Sequence, residues 1–172
     1  KISLMSEWET KIAAIINETK KENVTSFAGV PSWMLVLMNK MLEETGKGNL
    51  FEIWPNLEVY FHGGVSFQPY REQYFNILPK KEFKYYEIYN ASEGFAIQDL
   101  NNSEDLLLML DYGIFYEFIP MSVFGTEHQK AIRLDDVELD KNYAIVITTN
   151  GGLWRYVIGD TIRFTSLNPY RI

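Results

Sequence analysis

The sequence predicts an α/β protein in two parts: a helix-covered parallel β/α portion over residues 1–96, then an antiparallel, partly barrel-like β portion over residues 97–172. Two observations carry this. Up to residue 88, helical and strand periodicities alternate, the pattern of a parallel sheet with helices on it. From residue 95, short apolar runs follow one another, broken by turn signals at Asn101-Asn102, Asp111-Tyr112-Gly113 and Asn150-Gly151-Gly152, as in antiparallel sheet. An aromatic content of 15% suits such sheet-rich packing.

In order along the chain, residues 6–21 read as a helix. Ser6 and Glu9 have the spacing of a capping box, and Trp8, Ile12, Ile15 and Ile16 share one stripe. Residues 24–30 form a short strand. Pro31 suits the first position of a second helix, which carries Met34, Leu35, Met38, Met41 and Leu42 and stops near Gly46. Residues 57–61 alternate as a strand running into Gly63-Gly64. Ser66 can cap a third helix with Tyr70, Tyr74, Ile77 and Leu78 inward, ended by Pro79. Residues 83–88 complete the parallel set. Beyond it, residues 95–100, 106–110, 114–119, 143–148, 153–158 and 161–165 are expected as strands.

Length and composition bound the function. A chain of 172 residues can bury a sizeable core. A net charge of −7 argues against nucleic acid or an anionic membrane surface as partner, since both need a basic face. It leaves ATP open, because Mg²⁺, backbone N–H groups and one or two cations can meet its charge locally. The chain has no cysteine, which excludes a disulfide scaffold or thiolate zinc site and is compatible with a cytoplasmic location. No apolar run approaches the roughly 20 residues of a membrane-spanning helix. The start at Lys1 has neither an initiator methionine nor a signal-peptide pattern, so a processed or excised piece is expected.

The chemistry-bearing residues sit at predicted strand ends, where parallel sheets bind ligands. Gly63-Gly64 lets a backbone approach a flat ligand, since no Cβ intervenes; it equally serves as a turn before a helix. His62 beside it reads as a packed or edge residue. In Tyr89-Asn90-Ala91-Ser92-Glu93-Gly94, a tyrosine ring can stack on a base, Asn90 and Ala91 can offer groups to its edge, and Ser92 can donate to a phosphate. Glu93 is a hard oxygen ligand suited to Mg²⁺. The same residues also suit a solvated turn. Asp160, after Gly159, can accept both ribose hydroxyls or close a hairpin. Arg155 can face a phosphate or pair with a carboxylate, and Glu117 is a charge in an apolar strand that is edge-exposed, paired or functional. Trp33, Phe67 and Tyr70 can wall an apolar acid, although core packing explains them too. There is no P-loop, G-x-G-x-x-G or G-x-S-x-G motif.

Gly63-Gly64, Tyr89-Asn90-Ala91-Ser92-Glu93-Gly94, the run from Gly113 through Glu117 to Pro120, and Arg155-Tyr156-Val157-Ile158-Gly159-Asp160 occur in this order. The order resembles the auxin-responsive-promoter family of acyl-acid amido synthetases, a branch of the adenylate-forming enzymes, over residues from about 27 to 164. The resemblance implies an ATP- and Mg²⁺-dependent, AMP-forming ligase acting on a small carboxylic acid and an amino acid. It implies that Tyr89, Asn90, Ala91 and Ser92 contact adenine and the α-phosphate, with Glu93 near Mg²⁺ and Ser92 and Glu93 acting at the reacting group. Asp160 would bind ribose, Gly63 and Gly64 would lie beside adenine, and Arg155 would belong to the nucleotide site.

Two departures stand out. Asn90 replaces the glycine or small residue usual in the family, although asparagine reaches left-handed angles more readily than most residues. No Ser/Thr/Gly-rich phosphate loop precedes Tyr89, and no lysine-bearing domain follows Asp160. The resemblance therefore implies an internal piece ending before the hinge, inactive alone, whose missing N- and C-terminal parts belong to the same enzyme. An acyl-CoA ligase-like enzyme and a non-catalytic nucleotide-binding domain are the alternatives.

Overall fold

The computed structural model describes residues 2–89, 96–98 and 105–172. The chain forms two compact units, Lys1–Ile88 and Tyr89–Ile172.

The first unit begins with α1 (Trp8–Thr19). Its cap is Glu7, not Ser6. Glu7 adopts extended angles, and its carboxylate accepts the N–H groups of Glu9 at 3.0 Å and Thr10 at 2.6 Å. An acidic side chain one residue closer to the helix thus satisfies the free N–H groups of the first turn. Strand β1 (Ser26–Gly29) leads into α2 (Pro31–Thr45), which starts on Pro31 and ends at Gly46 in a left-handed conformation of φ 67°. Strand β2 (Val59–His62), α3 (Arg71–Ile77) and β3 (Lys84–Tyr89) follow. The third helix is shorter than the Ser66 start expected, because a 3-10 turn at Gln68–Tyr70 precedes it.

Strand β2 is central and parallel to both neighbours, pairing Phe27 with Tyr60 on one side and Tyr60 with Tyr85 on the other. Alternation along each strand sends Phe27, Tyr60 and Tyr85 to one face, where Leu35, Met38 and Met41 of α2 and Tyr74 and Ile77 of α3 close the core. Met38 and Met41 are therefore core residues. Two tyrosine hydroxyls in this core are met internally, whereas the Tyr85 hydroxyl and His62 Nδ1 are buried without a hydrogen-bond partner among the described residues. Tyr60 OH donates to Gly29 O at 2.9 Å, Tyr74 OH donates to Pro31 O at 2.8 Å, and the two hydroxyls lie 3.2 Å apart. Both bonds tie the sheet and α3 to the β1–α2 junction.

The second unit holds two antiparallel sheets. The first contains β4 (Ala96–Gln98), β5 (Leu106–Leu108), β10 (Ser166–Leu167) and β11 (Tyr170–Arg171), paired in the order β4-β5-β11-β10. The second contains β6 (Ile114–Pro120), β7 (Ile132–Arg133), β8 (Asn142–Thr149) and β9 (Tyr156–Arg163), ordered β7-β6-β8-β9. Tyr116, Phe118, Tyr143, Ile145, Ile147 and Phe164 face Ala96 and Leu108 in a common core. The fold is the expected mixed α/β arrangement of parallel followed by antiparallel sheet. Its antiparallel sheets are open among the described residues and do not close into a barrel.

Candidate functional site

The glycine pair stands at the carboxyl end of β2. A Cβ on Gly63 would collide with the carbonyl oxygen of Ile88, the residue before Tyr89, and Gly64 has φ 81°. Gly63 is thus required by close backbone approach, and Gly64 by a left-handed turn. His62 is 3% exposed, stacked on Phe67 with ring centroids 4.2 Å apart. Burial, with a smaller contribution from the Arg71 charge, pushes its pKa down to about 4. It is a packed, neutral residue. Phe67 is core, and Trp33 is exposed and packs edge-on against Trp8 at 5.0 Å.

Of the Tyr89 to Gly94 peptide, the structure describes Tyr89; Asn90, Ala91, Ser92, Glu93 and Gly94 lie outside the described residues. Tyr89 ends β3, and its phenol donates to Asp160 Oδ2. Two motif residues 71 positions apart in sequence are therefore in direct contact within the second unit.

Asp160 is not at a strand end. The two strands expected over 153–158 and 161–165 are one strand, β9, which runs through it. Val146 pairs with Val157 and Ala144 with Thr161, so Ile145 alone faces Ile158, Gly159 and Asp160. This is a β-bulge, with Gly159 at φ 101°, and bulges re-aim side chains beside functional sites. Asp160 sits on the bulge and is exposed.

Arg155 pairs with a carboxylate. Its Nε donates to Glu117 Oε2 at 2.9 Å and its Nη2 to Oε1 at 3.0 Å. A cleft of about 480 Å³ lies along β9, lined by Tyr89, Asp105, Leu106, Thr161, Arg163 and Ile172 among others. Its volume is within the range of small-molecule sites. Arg163, which the sequence motifs do not single out, is a cation lining this cleft. Its signal was its position three residues after Asp160 on the same strand. Among the described residues, no cluster of three acidic or histidine side chains suits a metal, and no helix is long and apolar enough to cross a membrane.

Comparison with known proteins gives these features a family. Residues 1–83 match the GH3 family N-terminal domain, and residues 107–171 match the GH3 family central domain. The chain belongs to the GH3 family. Among its curated relatives, the indole-3-acetic acid-amido synthetase GH3.4 of Arabidopsis thaliana is 30% identical over 171 residues, covering 93% of this chain and 26% of that protein. The 4-substituted benzoates-glutamate ligase GH3.12 of the same plant is 29% identical over 131 residues, 72% of this chain and 22% of the relative. The chain thus spans about a quarter of the length of these relatives.

Solved structures bear out the fold. The GH3.15 acyl acid amido synthetase from a complex with 2,4-DB aligns with a TM-score of 0.68 at 16% identity, over 93% of this chain and 37% of that one. An open 2-hydroxyisobutyryl-CoA ligase holding 2-HIB-AMP and CoA aligns at 0.67 and 16%, over 96% and 38%.

Proposed function

We propose that the complete protein is an ATP-dependent, AMP-forming ligase that joins a small carboxylic acid to an amino acid, and that these residues hold the adenosine end of its nucleotide. Support comes from membership of the GH3 family, whose relatives above carry amido synthetase and glutamate ligase names. The observation that carries the site assignment is the Tyr89 phenol on the Asp160 carboxylate. It joins a residue suited to base stacking with one suited to ribose hydroxyls. One carboxylate oxygen of Asp160 takes the phenol, leaving the other and the remaining lone pairs for ribose. Gly63 and Gly64 keep their adenine role on chemistry alone, and Arg163 supplies positive charge to the cleft that Tyr89 also lines. Arg155, engaged by Glu117, is left out of phosphate binding. Ser92 and Glu93 keep their phosphate and Mg²⁺ roles on chemistry alone, and Mg²⁺ would offset phosphate charge when bound.

In the first step an acid oxygen attacks the α-phosphorus, forming a P–O bond as pyrophosphate leaves. The amine then attacks the acyl carbon, the amide forms, AMP departs with the C–O electron pair, and the amine proton passes to solvent. The residues named here contribute positioning more than bond-making. An ATP reaction fits a cytoplasmic location. The acyl-CoA ligase reading shares the first step and is separated by the second nucleophile. The test is pyrophosphate exchange by the complete protein over a panel of carboxylic acids, with amino acids and CoA as acceptors. Acid-dependent exchange with amide product is expected. Thioester product, or no exchange with any acid, contradicts the proposal.

A further inference from the structure

Glu117 and Arg155 are 38 positions apart in sequence and are joined by the two-pronged pair described above. Glu117 lies on β6, Arg155 immediately precedes β9, and β8 runs between them: Val146 is the register partner of both Glu117 and Val157. The ion pair therefore spans a whole strand. Arg155 is fixed twice more. Its N–H donates to Thr148 Oγ1 at 3.0 Å, and its φ of 46° lies in the left-handed region that side chains avoid. Glu117 is only 15% exposed at its side chain, against 65% for Arg155, so the carboxylate is largely withdrawn from water and relies on its partner.

This anchor adjoins the place where the register of the sheet shifts. Among the described residues, strand β9 is an edge strand, paired with β8 alone in its sheet. Its bulge sets three residues, Ile158 to Asp160, against Ile145. A slip of one residue in such a strand turns every side chain to the opposite face. That would carry Asp160 away from the Tyr89 phenol. We propose that Glu117 and Arg155 are positioning residues, a register latch that holds β9 so that Asp160 meets the nucleotide ribose. The latch rests on the reading of Asp160 as the ribose ligand. It gives Arg155 a role in nucleotide binding that needs no contact with the nucleotide.

The experiment compares Glu117→Gln and Arg155→Lys with wild type in the complete protein, using pyrophosphate exchange with ATP and with 2′-deoxy-ATP. Glutamine keeps the shape without the charge, and lysine keeps the charge without the fork. Both variants are expected to raise the KM for ATP about five- to tenfold with kcat within about twofold, as lost positioning of one hydrogen-bonding group implies. Wild-type preference for ATP over 2′-deoxy-ATP is expected to shrink in parallel, and amides of residues 156–163 to exchange hydrogen faster in the folded protein. A purely structural pair would lower the unfolding midpoint while leaving the KM and the ribose preference unchanged, and that result overturns the latch. Absence of any ATP response in wild type overturns the nucleotide reading and the latch with it. A normal wild-type response with unaltered variants overturns the latch alone.

Discussion

The two halves use polar side chains in opposite ways. In residues 1–88, Tyr60 and Tyr74 are fully buried and His62 almost so, and the tyrosine hydroxyls bind main-chain oxygens of the β1–α2 junction. In residues 89–172, Asp160, Arg155 and Arg163 stand at the surface along one edge strand, and their contacts are with other side chains or line a cleft. The parallel half uses polarity to hold a shape, including the glycine pair at its strand end. The antiparallel half exposes polarity along a strand edge and a cleft. A motif residue is therefore best judged by what it touches: His62 adjoins the glycine pair in sequence yet is core, whereas Arg163 lies outside the motif yet lines the cleft.

The largest effect that breaks this contrast is Tyr74→Ala. It empties a fully buried aromatic site and leaves Pro31 O without its donor, so the unit carrying residues 1–88 should lose about 3–5 kcal/mol. Denaturant unfolding followed by tryptophan fluorescence measures it. A loss below about 1 kcal/mol would mean the core is not organised around this tyrosine. His62 should give a smaller effect, confined to acid. Its folded pKa of about 4 lies below the ordinary value near 6.5. The unfolded chain therefore takes up a proton between those values while the folded chain does not. Stability is then unaffected above about pH 6.5 and falls as pH drops toward 4, by about 3 kcal/mol. His62→Phe should flatten that acid limb in urea titrations at pH 4.5 and 7. An unchanged slope would show that the imidazole is not buried neutral.

Local signals made much of the fold legible. Pro31 and Gly46 bound α2, and the Asp111–Gly113 and Asn150–Gly152 turn signals precede β6 and β9. The change from parallel to antiparallel sheet was readable from periodicity alone. What escaped the sequence depended on distant partners. Gly159 signals a turn locally, and only the pairing of β9 with β8 on both sides converts it into a bulge. Arg155 is compatible with phosphate or carboxylate until β6 brings Glu117 across β8. The two-residue strands β7, β10 and β11 are too short to carry a period. Even the Glu7 cap was masked by a serine with the more familiar spacing.

The central claim is that Asp160, raised on its bulge and held by Tyr89, binds the nucleotide ribose. Its most direct test is calorimetric titration of ATP into the complete protein carrying Asp160→Ala, beside wild type. Loss of hydrogen bonds to a charged group, about 1.5–3 kcal/mol each, predicts at least a roughly tenfold weaker Kd with the fold intact by circular dichroism. An ATP affinity equal to wild type would remove Asp160 from the site and contradict the account.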